Sequence, residues 1–151
     1  MRRSALLLGS YFGAGYLPRC PGTFGSLAAI LTLLLVPHDH YTLVVAVLAL
    51  LAIVAGPPLA DVMIQATGRK DPQSFVLDEA AGVWIAALRL PGPHIDDLVV
   101  AFLLFRLFDI WKPWPVARLE RLPGGFGVVY DDVAAGVLAL VAGCGLKALL
   151  L

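Results

Sequence analysis

Five apolar runs divide this chain, and nearly all its cations lie in the three longer polar segments around them. The runs are Phe24–Val36, Tyr41–Ala55, Ala80–Leu90, Leu98–Phe108 and Val133–Leu151. None alternates apolar and polar residues, and all are rich in Leu, Ala and Val, so each is predicted to be a helix. A bilayer crossing takes about 20 apolar residues. The second and fifth runs approach that length. The other three are short, and are expected to extend, tilt, or dip in and return. The expected fold class is all-α: a multihelical integral membrane protein of about five apolar helices, some short or re-entrant, with residues 1–151 forming one domain.

Composition decides between water and lipid as the surrounding medium. The chain is 60% hydrophobic and 15% charged, against about 45–50% and about 25% for soluble domains. Too little polar surface remains to cover a soluble monomer. A hydrophobic subunit buried in an oligomer is the other reading of the same composition. The formal net charge is zero, which argues against a nucleic-acid partner. Cys20 and Cys144 cannot build a disulfide framework or a zinc site by themselves. The start "MRRSALLLGS" is basic, but its apolar run is too short for a signal peptide, so it is read as mature sequence.

The charges give a topology. The connections Pro37–His40 and Pro91–Asp97 contain no Lys or Arg, whereas Met1–Thr23, Gly56–Glu79 and Asp109–Asp132 hold Arg2, Arg3, Arg19, Arg69, Lys70, Lys112, Arg118 and Arg121. Alternating crossings put all the basic segments on one side, which the positive-inside rule makes the cytoplasm. Arg89 and Lys147 lie elsewhere, near helix ends from which long stems can snorkel. Every unusual polar motif falls on the cytoplasmic side.

Four such motifs stand out. "GAGYLPRCPGTFGS" (Gly13–Ser26) precedes an apolar helix. Its glycines would let backbone N–H groups approach an anion, Thr23 and Ser26 would add hydroxyls, and Arg19 a planar fork. It also reads as a tight turn with a Ser or Thr cap, and it lacks the Gly-Lys-Ser/Thr ending of a P-loop. "DPQSFVLDEAAGVW" (Asp71–Trp84) opens a helix with Asp78 and Glu79. One acid there answers the helix dipole; two at a membrane edge ask for a further role. "FRLFDIWKPWP" (Phe105–Pro115) spaces Arg106, Asp109 and Lys112 along one helical face, stops at Pro113 and Pro115, and offers Trp111 and Trp114 to the interface. "GFGVVYDDVAAG" (Gly125–Gly136) places Asp131 and Asp132 where one of them would cap the last helix, leaving the other for different work.

Two acidic pairs and Asp109 make an oxygen-rich set suited to Mg²⁺, which takes one or two carboxylates together with water and phosphate oxygens. Carboxylates for a metal, Arg and Lys for phosphate, and a glycine-rich loop point to phosphoryl chemistry, and the membrane setting to a lipid phosphate. Other phosphatase chemistries are disfavoured. Ser26 stands where a Cys-x5-Arg motif from Cys20 needs arginine, and no Asp-x-Asp occurs. His38, His40 and His94 fall in the opposite-side loops. "HDH" at 38–40 reads as a solvated turn.

The segments "PGTFGS", "LDEAAGVW", "FRLFDIWKPWP" and "GGFGVVYDDVAAG" resemble, in order, those of the phosphatidylglycerophosphatase A family. The resemblance implies a mostly helical fold and Mg²⁺-dependent removal of the terminal phosphate of phosphatidylglycerophosphate at the cytoplasmic side of the inner membrane. Asp78, Glu79, Asp131 and Asp132 are then expected to hold one or two ions, and Arg106 and Lys112 to offset charge on phosphate. Asp109 would orient Arg106 or complete the metal shell. Arg19, Thr23, Gly25 and Ser26 would hold phosphate or headgroup. Cys20, before "PGT", is assigned no catalytic part. The competing readings are a membrane phosphotransferase acting on another phosphorylated lipid, a channel or transporter subunit, and a non-catalytic scaffold. Charges gathered at one edge favour surface chemistry over a pathway through the bilayer.

Overall fold

The computed structural model describes residues 2–150. Seven α-helices follow in chain order: α1 Arg2–Gly9, α2 Pro21–Leu34, α3 Tyr41–Thr67, α4 Leu77–Ala87, α5 Ile95–Trp111, α6 Val116–Leu119 and α7 Gly124–Leu150, and there is no strand among the described residues. The all-α expectation holds. Of the about five apolar helices expected, some of them short, two segments, His38–Thr67 and Gly124–Leu149, are long and apolar enough to cross a membrane.

The boundaries move for identifiable reasons. The second run was expected to end at Ala55, before Pro57 and Pro58, yet α3 continues through both prolines to Thr67. Proline inside a helix removes a hydrogen bond, but packed neighbours make the loss tolerable in membrane helices. The helix stops instead at Gly68, which takes a left-handed φ of 68° and donates its N–H to the Ile64 carbonyl at 2.8 Å. The last run was expected to begin at Val133, yet α7 starts at Gly124. The Gly125 N–H donates to Asp61 Oδ1 of α3 at 2.7 Å, so the start of α7 is capped from another helix. Removing that cap by Asp61→Ala should cost about 1 kcal/mol. Thermal unfolding in detergent checks it, and Asp61→Asn should recover most of the loss.

α4 is the centre of the molecule. Its 11 residues reach about 16 Å at 1.5 Å each, roughly half a bilayer core. Asp78 and every residue from Ala80 to Ala87 are buried, enclosed by α2, α3, α5 and α7. Alanine and glycine let those neighbours come close, and Trp84 fixes the rotation by donating Nε1–H to the Ala29 carbonyl at 3.2 Å. The outward faces carry exposed Leu31, Leu43, Leu50, Leu51, Leu103 and Val141, an apolar exterior that lipid accommodates better than water.

α2, α4 and α7 run one way, α3 and α5 the other. The short connections meet at one end, where the His38 and His94 rings lie 5.7 Å apart. The longer basic segments meet at the other, around the start of α4.

Candidate active site

At that second end a cavity of about 460 Å³ is walled by Asp78, Glu79, Asp109, Lys112, Asp131 and Asp132, among others. Three distant stretches of chain thus bring their charges to one space. The register between α4 and α7 explains how. A Cβ on Gly136 would strike the Gly82 carbonyl oxygen, and one on Gly82 would lie 2.7 Å from the Asp132 carbonyl oxygen and against the Phe105 ring. The two glycines therefore mark the closest crossing of parallel helices. Asp78 lies one turn before Gly82, and Asp132 one turn before Gly136. The crossing brings both acids to the wall of the same cavity. Asp131 and Asp132 are not caps: they lie about two turns inside α7.

Cations divide the acids into two classes. Glu79 Oε2 accepts hydrogen bonds from Arg106 and from the Ser26 hydroxyl, the latter at 2.8 Å. Arg106 also pairs with Asp109 at 2.9 Å. Lys112 Nζ donates to Asp131 Oδ2 at 2.8 Å and to Glu120 Oε1 at 2.9 Å. Burial alone would lower the Lys112 pKa; its bonds to Asp131 and Glu120 outweigh burial and hold it above the usual lysine range. Lys112 is accordingly a fixed cation at neutral pH rather than a base. Among the described residues Asp78 accepts only its neighbour's N–H, from Glu79 at 2.8 Å. The Asp132 carboxylate accepts no hydrogen bond and joins no ion pair among the described residues, although both side chains are buried.

Residues of the glycine-rich segment pack against the acid-bearing elements. Ser26 is buried and its hydroxyl bonds to Glu79 and the Gly22 carbonyl. Gly25 lets α2 pack on Val76. Gly22 faces the Glu79 carboxylate. Thr23 is half-buried and absent from the cavity wall, and Arg19 lines a separate groove. Arg106 and Lys112, expected to meet phosphate, are each occupied by two carboxylates. The wall also includes Lys70, Gln73 and Arg121, which sequence reasoning counted only as topological charge or passed over. Lys70 and Arg121 form no ion pair among the described residues.

Among the described residues, no group of three or more His, Cys, Asp or Glu side chains stands ready to hold a metal ion. The donor chemistry nevertheless suits a hard cation, because Mg²⁺ needs only one or two carboxylates. Of the two acidic pairs, Asp78 and Asp132 are the members that join no ion pair among the described residues, while Glu79 Oε2 and Asp131 Oδ2 bond Arg106 and Lys112.

Comparison with known proteins adds the lineage. The phosphatidylglycerophosphatase A family profile matches residues 7–147. The chain belongs to this family. It is 39% identical over 137 residues to phosphatidylglycerophosphatase A of Escherichia coli K12, covering 88% of this chain and 77% of that one. It is 34% identical over 136 residues to phosphatidylglycerophosphatase A of Haemophilus influenzae, covering 89% and 83%. A Bacteroides thetaiotaomicron protein described as "Putative phosphatidylinositol-3-phosphatase" is 39% identical over 145 residues, covering 90% and 89%. No solved structure matches. As a member of the phosphatidylglycerophosphatase A family, the chain is an enzyme of the lipid phosphatase type.

Proposed function

We propose that this enzyme hydrolyses the terminal phosphomonoester of phosphatidylglycerophosphate to phosphatidylglycerol and inorganic phosphate, with Mg²⁺ held by Asp78 and Asp132. The observation that carries the reading is the division of the acids. Two cations neutralise the outer carboxylates, and two buried carboxylates on the same cavity join no ion pair among the described residues. Two like charges adjacent in a low-dielectric site are costly unless a proton or a bound cation compensates them, and a divalent cation at a phosphate site does so.

The bound ion would neutralise phosphate charge and lower the pKa of a water. The chain's own residues do the rest. Arg106 and the Ser26 hydroxyl bond Glu79 Oε2 and fix that carboxylate in the wall beside the proposed ligands. Lys112 holds Asp131 likewise and ties the end of α5 to α7. Lys70 and Arg121, free of acid partners among the described residues, meet the equatorial oxygens of the phosphoryl group where charge develops. Hydrolysis forms a bond from the water oxygen to phosphorus and breaks the bond to the glycerol oxygen, which leaves with a proton.

The cavity end carries Arg69, Lys70, Arg118 and Arg121, and the positive-inside rule supports a cytoplasmic orientation for it. Purified protein in nanodiscs, assayed for inorganic phosphate release, tests the reading. Release from phosphatidylglycerophosphate should exceed that from phosphatidylinositol 3-phosphate and phosphatidic acid. It should fall by at least about 100-fold on chelation and return with Mg²⁺. A different preferred lipid would reject the substrate, and chelator-insensitive release would reject the ion.

A further inference from the structure

A second groove, of about 370 Å³, runs beside the acidic cavity between the loop preceding α2 and the loop following α3. Pro21 and Gln73 line both spaces, so the two adjoin. The groove contains Arg19 and Arg69, both exposed and neither in an ion pair among the described residues. Its walls are clamped together. A Cβ on Gly15 would strike the Ser74 carbonyl oxygen, and the Val76 N–H donates to the Gly9 carbonyl at 2.8 Å. Arg19 and Cys20 both take left-handed backbone, with φ of 65° and 50°, a costly conformation for non-glycine residues that is kept where surrounding structure enforces it. Tyr16 and Leu17 also line the groove and are exposed; they are an aromatic and an aliphatic side chain suited to the headgroup boundary.

Resting on the phosphatase reading above, the geometry points to a phosphodiester subsite formed by Arg19 and Arg69, which holds the inner phosphate of the lipid while the terminal phosphate enters the acidic cavity. The order of chemical groups on such a lipid matches the order of surfaces. Acyl chains leave past Tyr16 and Leu17, the diester lies against two guanidinium groups, and the linking alcohol passes Pro21 and Gln73. The monoester then reaches Asp78 and Asp132. Arginine suits the diester because its planar fork binds two phosphate oxygens at once. The subsite makes the enzyme selective for a lipid whose phosphomonoester is separated from its acyl chains by a diester, over one that carries a single phosphate.

The test uses short-chain phosphatidylglycerol, which has the diester and lacks the monoester, titrated onto the full chain in detergent. Arg19→Gln/Arg69→Gln should bind it about tenfold more weakly than wild type. The double Lys variant should fall between, since it keeps charge without the fork. In turnover, the kcat/KM ratio of phosphatidylglycerophosphate to phosphatidic acid should drop by about the same tenfold in the double Gln variant. Binding within twofold of wild type, or wild-type protein that does not distinguish phosphatidylglycerol from diacylglycerol, overturns the subsite. Each single Gln variant, expected to weaken binding about threefold, gives the same reading should the double variant unfold. If wild type releases no phosphate while the binding contrast holds, the phosphatase reading falls and the subsite stands. The reverse result removes the subsite alone.

Discussion

Asp132→Asn is expected to reduce phosphate release by about 10³-fold or more while leaving the protein at least as heat-stable as wild type. The two halves of this expectation have one cause. Asp132 is 5% exposed, Asp78 is 7% exposed, and neither joins an ion pair among the described residues. Burying such charge is costly unless it is paired. Asparagine keeps the shape, removes the charge and relieves repulsion from Asp78 and Glu79, so the fold gains. The proposed ion loses a ligand and the phosphate loses its counter-charge, so the reaction suffers. Glu79→Gln provides the contrast. Glu79 is the partner of Arg106, and breaking a largely buried pair costs about 2–3 kcal/mol. That variant should lose stability together with activity. Steady-state kcat and thermal midpoints of both proteins in one detergent decide the matter. Asp132→Asn with more than a tenth of wild-type activity, or with a midpoint well below wild type, would sink the proposed role.

The helical class and the two acidic pairs were legible because apolar runs and paired charges at helix edges are local patterns. The misjudged parts depend on contacts between helices. Pro57 and Pro58 look like a stop, but α3 passes through them because α7 packs there: a Cβ on Gly125 would meet the Pro57 carbonyl. "GGFG" looks like a flexible turn, yet it forms the first turn of α7, and its glycines make room for α3 and for the Glu120 and Leu122 carbonyls. Once that turn is read as a loop, Asp131 and Asp132 are misplaced as caps. Ser26 carries the same lesson. Next to a glycine-rich segment it suggests an anion donor, but its partner is Glu79, 53 positions away, and no local pattern announces that. The spacing of Arg106 and Lys112 marks them as charged groups on one helical face. Their commitment to Glu79, Asp109, Asp131 and Glu120 follows only from the packing. The unpaired cations at the cavity, Lys70 and Arg121, have no motif of their own. They stand there because Gly68 ends α3 and because α6 turns the chain back toward α7.

Gly136→Val should destabilise the fold by about 3 kcal/mol and abolish activity together, because the contact it breaks sets the register of the acids. The obstacle is backbone. A Cβ at 136 would meet the carbonyl oxygen, Cα and carbonyl carbon of Gly82, and a helix cannot turn those atoms aside as it could a side chain. α4 must move away from α7, and since Asp78 and Asp132 lie one turn from the crossing on their respective helices, they separate with it. α4 is only 11 residues long and is held from every side, so no free surface absorbs the shift. Gly145→Ala is the matched control in the same helix. No atom stands within 4 Å of its added Cβ, and alanine in a helix interior is favoured over glycine by about 0.5–1 kcal/mol. Its midpoint should equal or exceed wild type, with full activity. Equal stability of the two variants would show that close approach of α4 and α7 does not hold the site together. Loss of activity without loss of stability in Gly136→Val would instead locate the effect in the ligands and not in the packing.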